Sequence, residues 1–123
     1  GENPKADRKA YECATEIKEK GVRGDIHIPP KEIDISELGF NDHHVNAESG
    51  HNVTEEEAKA FIKNAKMSHT VWQGQYENYY SEEGAAYVNV KDENNKFIRT
   101  AFKKEQFKDE SKMIMGVLKK HGI

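Results

Sequence analysis

Midway along the chain the spacing of apolar residues changes from about 3.6 to 2, the marks of helix and strand respectively. Before the change, Thr54 is a natural N-cap and Glu57 follows three residues on, the spacing of a capping box. Glu55, Glu56 and Glu57 suit the positive end of a helix, and Ala58, Phe61, Ile62 and Ala65 make one buried stripe. After the change, 68–73, 76–80, 85–90 and 96–102 each read as a short strand. Gly74, the Ser81-Glu82-Glu83-Gly84 run and Asp92-Glu93-Asn94-Asn95 supply the turns. Connections this short leave no room for a crossover, so neighbouring strands must run antiparallel.

Helical patterns flank this meander. Ala10, Cys13, Ala14 and Ile17 share one stripe of a helix over 5–20 that Gly21 stops. That stripe is thin, so the helix needs a partner. Ile114, Val117 and Leu118 point inward from a last helix over 109–121. Residues 25–35 alternate like an edge strand, which Pro29-Pro30 either holds at an edge or breaks in two. Residues 40–51 read as a loop or short helix. The expected class is α+β: N-terminal helices, an antiparallel four-stranded meander, then a C-terminal helix. Residues 1–23 are expected to be an N-terminal helix, and 24–123 one domain. Gly1 in place of Met reads as a scar of tag removal on a chain cut from something longer.

Composition narrows the function classes. With 123 residues there is room for one modest core, and a third of them are charged, yet five Phe and five Tyr argue against a disordered tail. No apolar run is long enough to cross a bilayer. One cysteine, Cys13, excludes an internal disulfide framework and a thiolate zinc site. The net charge of −3 argues against coating nucleic acid by bulk charge, although a local basic strip remains open.

Three constellations carry possible chemistry. The first is Asp42-His43-His44, with Glu48 and His51 following. Imidazole moves protons near neutral pH, so His43 or His44 is a candidate acid or base. The alternatives are idle surface histidines, or a metal site from His43 or His44, Glu48 and His51, whose spacing matches no metal motif. No metal or other cofactor is expected. The second is the hairpin Trp72-Gln73-Gly74-Gln75-Tyr76-Glu77-Asn78-Tyr79-Tyr80, whose rings could stack on bases or pack a core. Alternation places Tyr76 and Tyr80 on one face and Tyr79 on the other. The third is 96–104, with Lys96, Arg99, Lys103 and Lys104 and no acid. Arg99 in mid-strand, flanked by Phe97 and Ala101, should be partly sheltered and need an anion, either a phosphate or an acid such as Glu77 across the sheet. Thr100 should face away from Arg99 unless a bulge intervenes. No phosphate loop, serine-hydrolase elbow or Cys-His pair is present.

Taken in order, Gly24-Asp25-Ile26-His27-Ile28-Pro29-Pro30, Phe40-x-x-x-His44, Val53-Thr54-x-x-Glu57-Ala58, Trp72-x-Gly74, Tyr79-Tyr80, Gly84-Ala85-Ala86-Tyr87 and Ile98-Arg99-Thr100-Ala101-Phe102 form a pattern. It resembles the phage-associated domains at the C-terminal ends of minor capsid or head-morphogenesis proteins of Firmicute phages and prophages. These are assigned to the barnase–EndoU–colicin–RelE-like class of predicted RNases. The likeness covers about residues 24–118. It departs where Phe107 is followed by Lys108, with the acid only at Asp109, and the acidic net charge is unusual for an RNase.

The resemblance implies a barnase-like topology and a metal-independent, toxin-like endoribonuclease, virion-associated or in the bacterial cytoplasm. Its partners would be RNA, phage head proteins or an immunity protein, and no membrane. His44 would act as base or acid, Arg99 would hold the phosphate, Tyr79 or Tyr80 would donate to a phosphate or leaving oxygen, and Thr100 would orient. His43, Trp72 and Lys103 would contact substrate. The rival classes are a non-catalytic virion or partner-binding domain, and a toxin of another chemistry such as an ADP-ribosyltransferase.

Overall fold

Three α-helices and a six-stranded sheet make up the computed structural model, which describes residues 4–40 and 52–123. The elements are α1 (Pro4–Glu19), β1 (Asp25–His27), β2 (Gly39–Phe40), α2 (Glu55–Lys63), β3 (Met67–Val71), β4 (Tyr76–Tyr80), β5 (Gly84–Asn89), β6 (Phe97–Lys103) and α3 (Asp109–Lys120). The class is α+β as the pattern predicts, but the sheet is wider than the expected four strands. Its order is β1-β3-β4-β5-β6-β2. Strands β3 to β6 pair in sequence and antiparallel, β1 adds antiparallel to β3, and β2 closes the far edge parallel to β6. A two-residue strand such as β2 carries no readable alternation, so the sequence pattern is silent about it.

Helix α2 covers one side of the sheet. Both halves of its capping box form, with Glu57 N–H donating to Thr54 Oγ1 and Thr54 N–H donating to Glu57 Oε1, each at 3.1 Å. Its buried face, Ala58, Phe61 and Ile62, shares a core with Tyr79, Ala86, Val88, Ile98 and Ala101. A Cβ on Gly84 would lie 2.4 Å from the Phe61 ring and 2.7 Å from the Phe102 carbonyl oxygen, so only glycine lets the helix settle this close to β5.

Helices α1 and α3 cover the other side. Cys13 and Ile17 of α1 and Ile114, Val117 and Leu118 of α3 bury with Met67, Tyr80, Ala85 and Phe107. The thin stripe of α1 thus finds its partner in α3, and Glu16 Oε1 accepts bonds from Lys120 Nζ (3.1 Å) and His121 Nε2 (3.0 Å) across the pair. Among the described residues no helix is long and apolar enough to cross a membrane.

Of the alternating segment 25–35 only Asp25–His27 is a strand, because the chain leaves the sheet at Pro29-Pro30. It then crosses the α2 side as a belt between the two edge strands. Lys31 fastens the belt: its N–H donates to Ser68 Oγ (2.9 Å), and the Tyr79 hydroxyl donates to its carbonyl (2.7 Å). Ile33 and Ile35 pack onto the α2-side core.

A bulge interrupts the β5–β6 ladder. Tyr87 pairs with Thr100 and Val88 with Ile98, which leaves Arg99 as the extra residue. Ile98 and Ala101 both belong to the α2-side core, so Arg99 and Thr100, between them, both fall on the α1/α3 side.

Candidate functional site

Strand alternation places a buried carboxylate on the α2 side of the sheet. Glu77 sits two residues before Tyr79, hence on the α2 side, and is directly paired with Thr70 of β3. It is 1% exposed. Thr70 Oγ1 donates to Glu77 Oε1, while Glu77 Oε2 is buried and accepts no hydrogen bond from the described residues. His27 of β1 stands beside the pair, with Nε2 3.1 Å from Thr70 Oγ1 and 3.9 Å from Glu77 Oε2. Thr70 has one proton and gives it to Glu77, so His27 must donate from Nε2, which leaves Nδ1 as the nitrogen open to exchange. Its side chain is 34% exposed, so the ring links solvent to the buried acid.

Glu77 also lines a cleft of about 520 Å³. The belt residues Lys31 to Ile33, the turn from Trp72 to Gln75 and the loop carrying Lys91, Glu93 and Lys96 form its walls. Lysines 31, 91 and 96 are set against Glu32 and Glu93 at the rim, a polar cleft with cations spaced around it. Burying a carboxylate oxygen without a bond costs stability. The adjacent imidazole is the group placed to offset that charge when protonated.

The residues singled out from sequence divide between the two sides of the sheet. Tyr79 and Trp72 both line the cleft. The Tyr79 hydroxyl, however, is already spent on the Lys31 carbonyl, and burial, reinforced by Glu77, pushes its pKa well above the ordinary tyrosine value. That argues against the role of proton donor to a leaving oxygen. Tyr80 lies on the α1/α3 side, fully buried, with its hydroxyl 3.2 Å from that of Tyr87 and 3.4 Å from His69 Nε2. Burial raises its pKa strongly. His69 Nδ1–H donates to the Arg23 carbonyl at 2.8 Å, which leaves Nε2 to accept.

Arg99 and Thr100 share that side. Arg99 is exposed rather than sheltered, because the bulge lifts it out of the ladder, and it lies on the opposite side from Glu77. Lys103, at the end of β6, is 3.5 Å from Glu57 Oε2 of α2. His43 and His44, with Glu48 and His51, lie outside the described residues. Among the described residues no group of three His, Cys, Asp or Glu side chains is placed to hold a metal ion.

Sequence reasoning passed over Glu77, Thr70 and His27 as a unit. One signal was available, since alternation from Tyr79 puts Glu77 on a core-facing position. The other half, the register of β1 on β3 that delivers His27, has no local mark.

The turn that carries Trp72 is also unusual. Trp72, Gln73 and Gly74 have φ of 56°, 56° and 87°, three successive left-handed residues, and Gln75 N–H donates back to the Trp72 carbonyl at 3.1 Å. A type I′ turn needs positive φ only at its two central residues, here Gln73 and Gly74. Trp72 adopts it in addition, at a cost of order 1 kcal/mol or more for a bulky side chain. Comparison with protein-family models, with curated proteins and with solved structures finds no match to this chain, so the phage-domain resemblance rests on its motif positions alone.

Proposed function

We propose that this is a barnase-like, metal-independent endoribonuclease module associated with a phage or prophage head protein, and that its chemistry runs beside the Glu77 cleft. The observation that carries the reading is Glu77, which shares a cleft wall with three lysines and is linked through Thr70 to His27, itself outside that wall. In the proposed reaction His27 takes the proton of a ribose 2′-hydroxyl at Nδ1, and that oxygen attacks the adjacent phosphorus. Glu77, 3.9 Å away, offsets the imidazolium charge. Lys31, Lys91 and Lys96 would hold the phosphate and the charge that builds on it. The resemblance supplies His44 for protonating the 5′-leaving oxygen. DNA lacks the nucleophile and should be inert.

A non-catalytic virion or partner-binding domain is the second reading. It is favoured by one observation: both tyrosine hydroxyls expected in catalysis bond within the protein.

Incubation of the purified protein with single-stranded RNA in EDTA separates the two. The enzyme reading expects cleavage to a 2′,3′-cyclic phosphate. His27→Ala and His44→Ala should each slow it about 10²–10⁴-fold, with Lys104→Ala as a near-neutral control. An intact RNA panel, or variants matching the unmodified protein, would leave the binding-domain reading.

A further inference from the structure

Trp72 is 77% exposed, and among the described residues the only other large hydrophobic side chain this open is Tyr11 on α1. A single ring without an apolar surround does not make a protein-binding hot spot, which needs a packed, water-excluding patch. The cleft wall it joins carries Gln73, Gln75, Lys91 and Lys96, with Glu93 and Val90 beside them. Amides and ammonium groups around one indole are what a strand of nucleotides requires: a face to stack a base on, and cations for the phosphates on either side. The backbone points the same way. The left-handed φ of 56° at Trp72 is not demanded by the type I′ turn that follows, and tryptophan is among the residues least suited to it. Left-handed backbone at a bulky residue persists only where the surrounding structure holds it, and such positions cluster at functional sites.

Resting on the ribonuclease reading above, we infer that Trp72 is a base-stacking platform at the rim of the Glu77 cleft, selecting single-stranded over duplex RNA. The base next to the scissile phosphate leaves its own stack and lies on the indole, while Lys91 and Lys96 take the phosphates on either side of that base, the scissile one included. A duplex keeps its bases stacked on each other and has none to offer.

Trp72 is the sole tryptophan of the chain, so its fluorescence reports the contact directly. A 2′-O-methyl oligoribonucleotide, which cannot be cleaved, is titrated in as single strand and as duplex, and a labelled copy gives affinity by anisotropy. Saturable quenching by the single strand and little by the duplex is expected. Trp72→Ala should weaken single-strand binding about ten- to hundredfold, with Trp72→Phe between. Trp72→Asn fits left-handed backbone better, so it should keep or raise the melting temperature while losing affinity to the same degree. Binding without quenching, unaltered in Trp72→Ala, would overturn the platform and leave the ribonuclease reading standing. A melting temperature that falls in Trp72→Asn would make the residue a structural part of the turn. If the unmodified protein neither binds the oligonucleotide nor cleaves RNA, both inferences fail together.

Discussion

Replacing Tyr79 with Phe removes one oxygen and tests whether that hydroxyl is a strap or a catalyst. The hydroxyl donates to the Lys31 carbonyl at 2.7 Å, and the same residue's N–H is held by Ser68 Oγ at 2.9 Å. A net hydrogen bond contributes about 1 kcal/mol, and this one is partly buried. An unfolding entropy of about 2.1 cal/mol/K per residue gives this chain about 0.26 kcal/mol/K, so Tyr79→Phe should lower Tm by about 4 °C. Ser68→Ala should cost a similar amount. The double variant should lose less than the sum, because one missing fastener already loosens the belt for the other.

Calorimetry gives the stability, and amide hydrogen exchange gives the location. The Lys31 amide should exchange faster in Tyr79→Phe although its own acceptor, Ser68, is untouched. RNA cleavage, if the protein cleaves, should fall by no more than a few fold. An unchanged Tm and unchanged Lys31 exchange would refute the strap. A rate loss above 100-fold at unchanged stability would restore Tyr79 to the reaction.

Gly84→Ala should destabilise by about 1–3 kcal/mol in urea unfolding, since the new methyl meets the Phe61 ring and the Phe102 carbonyl; adding Phe61→Leu should recover part of that loss but not all. Burial holds the His69 pKa below its usual value, so the unfolded chain takes up a proton that the folded one refuses. Its contribution is therefore intact above about pH 6.5 and is lost as pH falls from there towards the lowered folded value; His69→Gln should flatten that part of the stability profile measured by denaturant titration. Burial, helped by Glu16, raises the Cys13 thiol to about pKa 11, so a thiol reagent at pH 8 should label it far more slowly in the native protein than in urea. Rapid native labelling would mean that α1 detaches from α3.

What the sequence made legible is what depends on neighbours along the chain. Thr54 and Glu57 announce α2 because a capping box is contained within four residues. The opposite placement of Tyr79 and Tyr80 follows from alternation alone. Arg99 escaped because a bulge is one residue too many relative to a partner strand, and nothing in the sequence from Phe97 to Phe102 records where Tyr87 and Val88 will stand. Glu77 was readable as facing the core, but whether anything covers it depends on the belt. His27 was out of reach for the same reason, because it meets Thr70 forty-three residues away.

The belt also acts as a ruler. From His27 on one edge strand to Gly39 on the other the chain takes twelve steps, and the sheet it crosses is six strands wide. Five gaps of about 4.8 Å make about 24 Å, against a fully extended reach of about 40 Å. Part of the difference goes into the 3₁₀ turn Ile35–Glu37 and into the detour at Pro29-Pro30. By that measure about four or five residues are slack, so only a shortening of about six or more would leave β1 and β2 unable to dock together, whereas lengthening it would only add slack. Each edge depends on one strand of the meander, β1 on β3 and β2 on β6, while the belt between them lies across all four. Both edge pairings are contacts distant in sequence, which makes them the costly ones to close, and the cleft wall built by Lys31 to Ile33 depends on them.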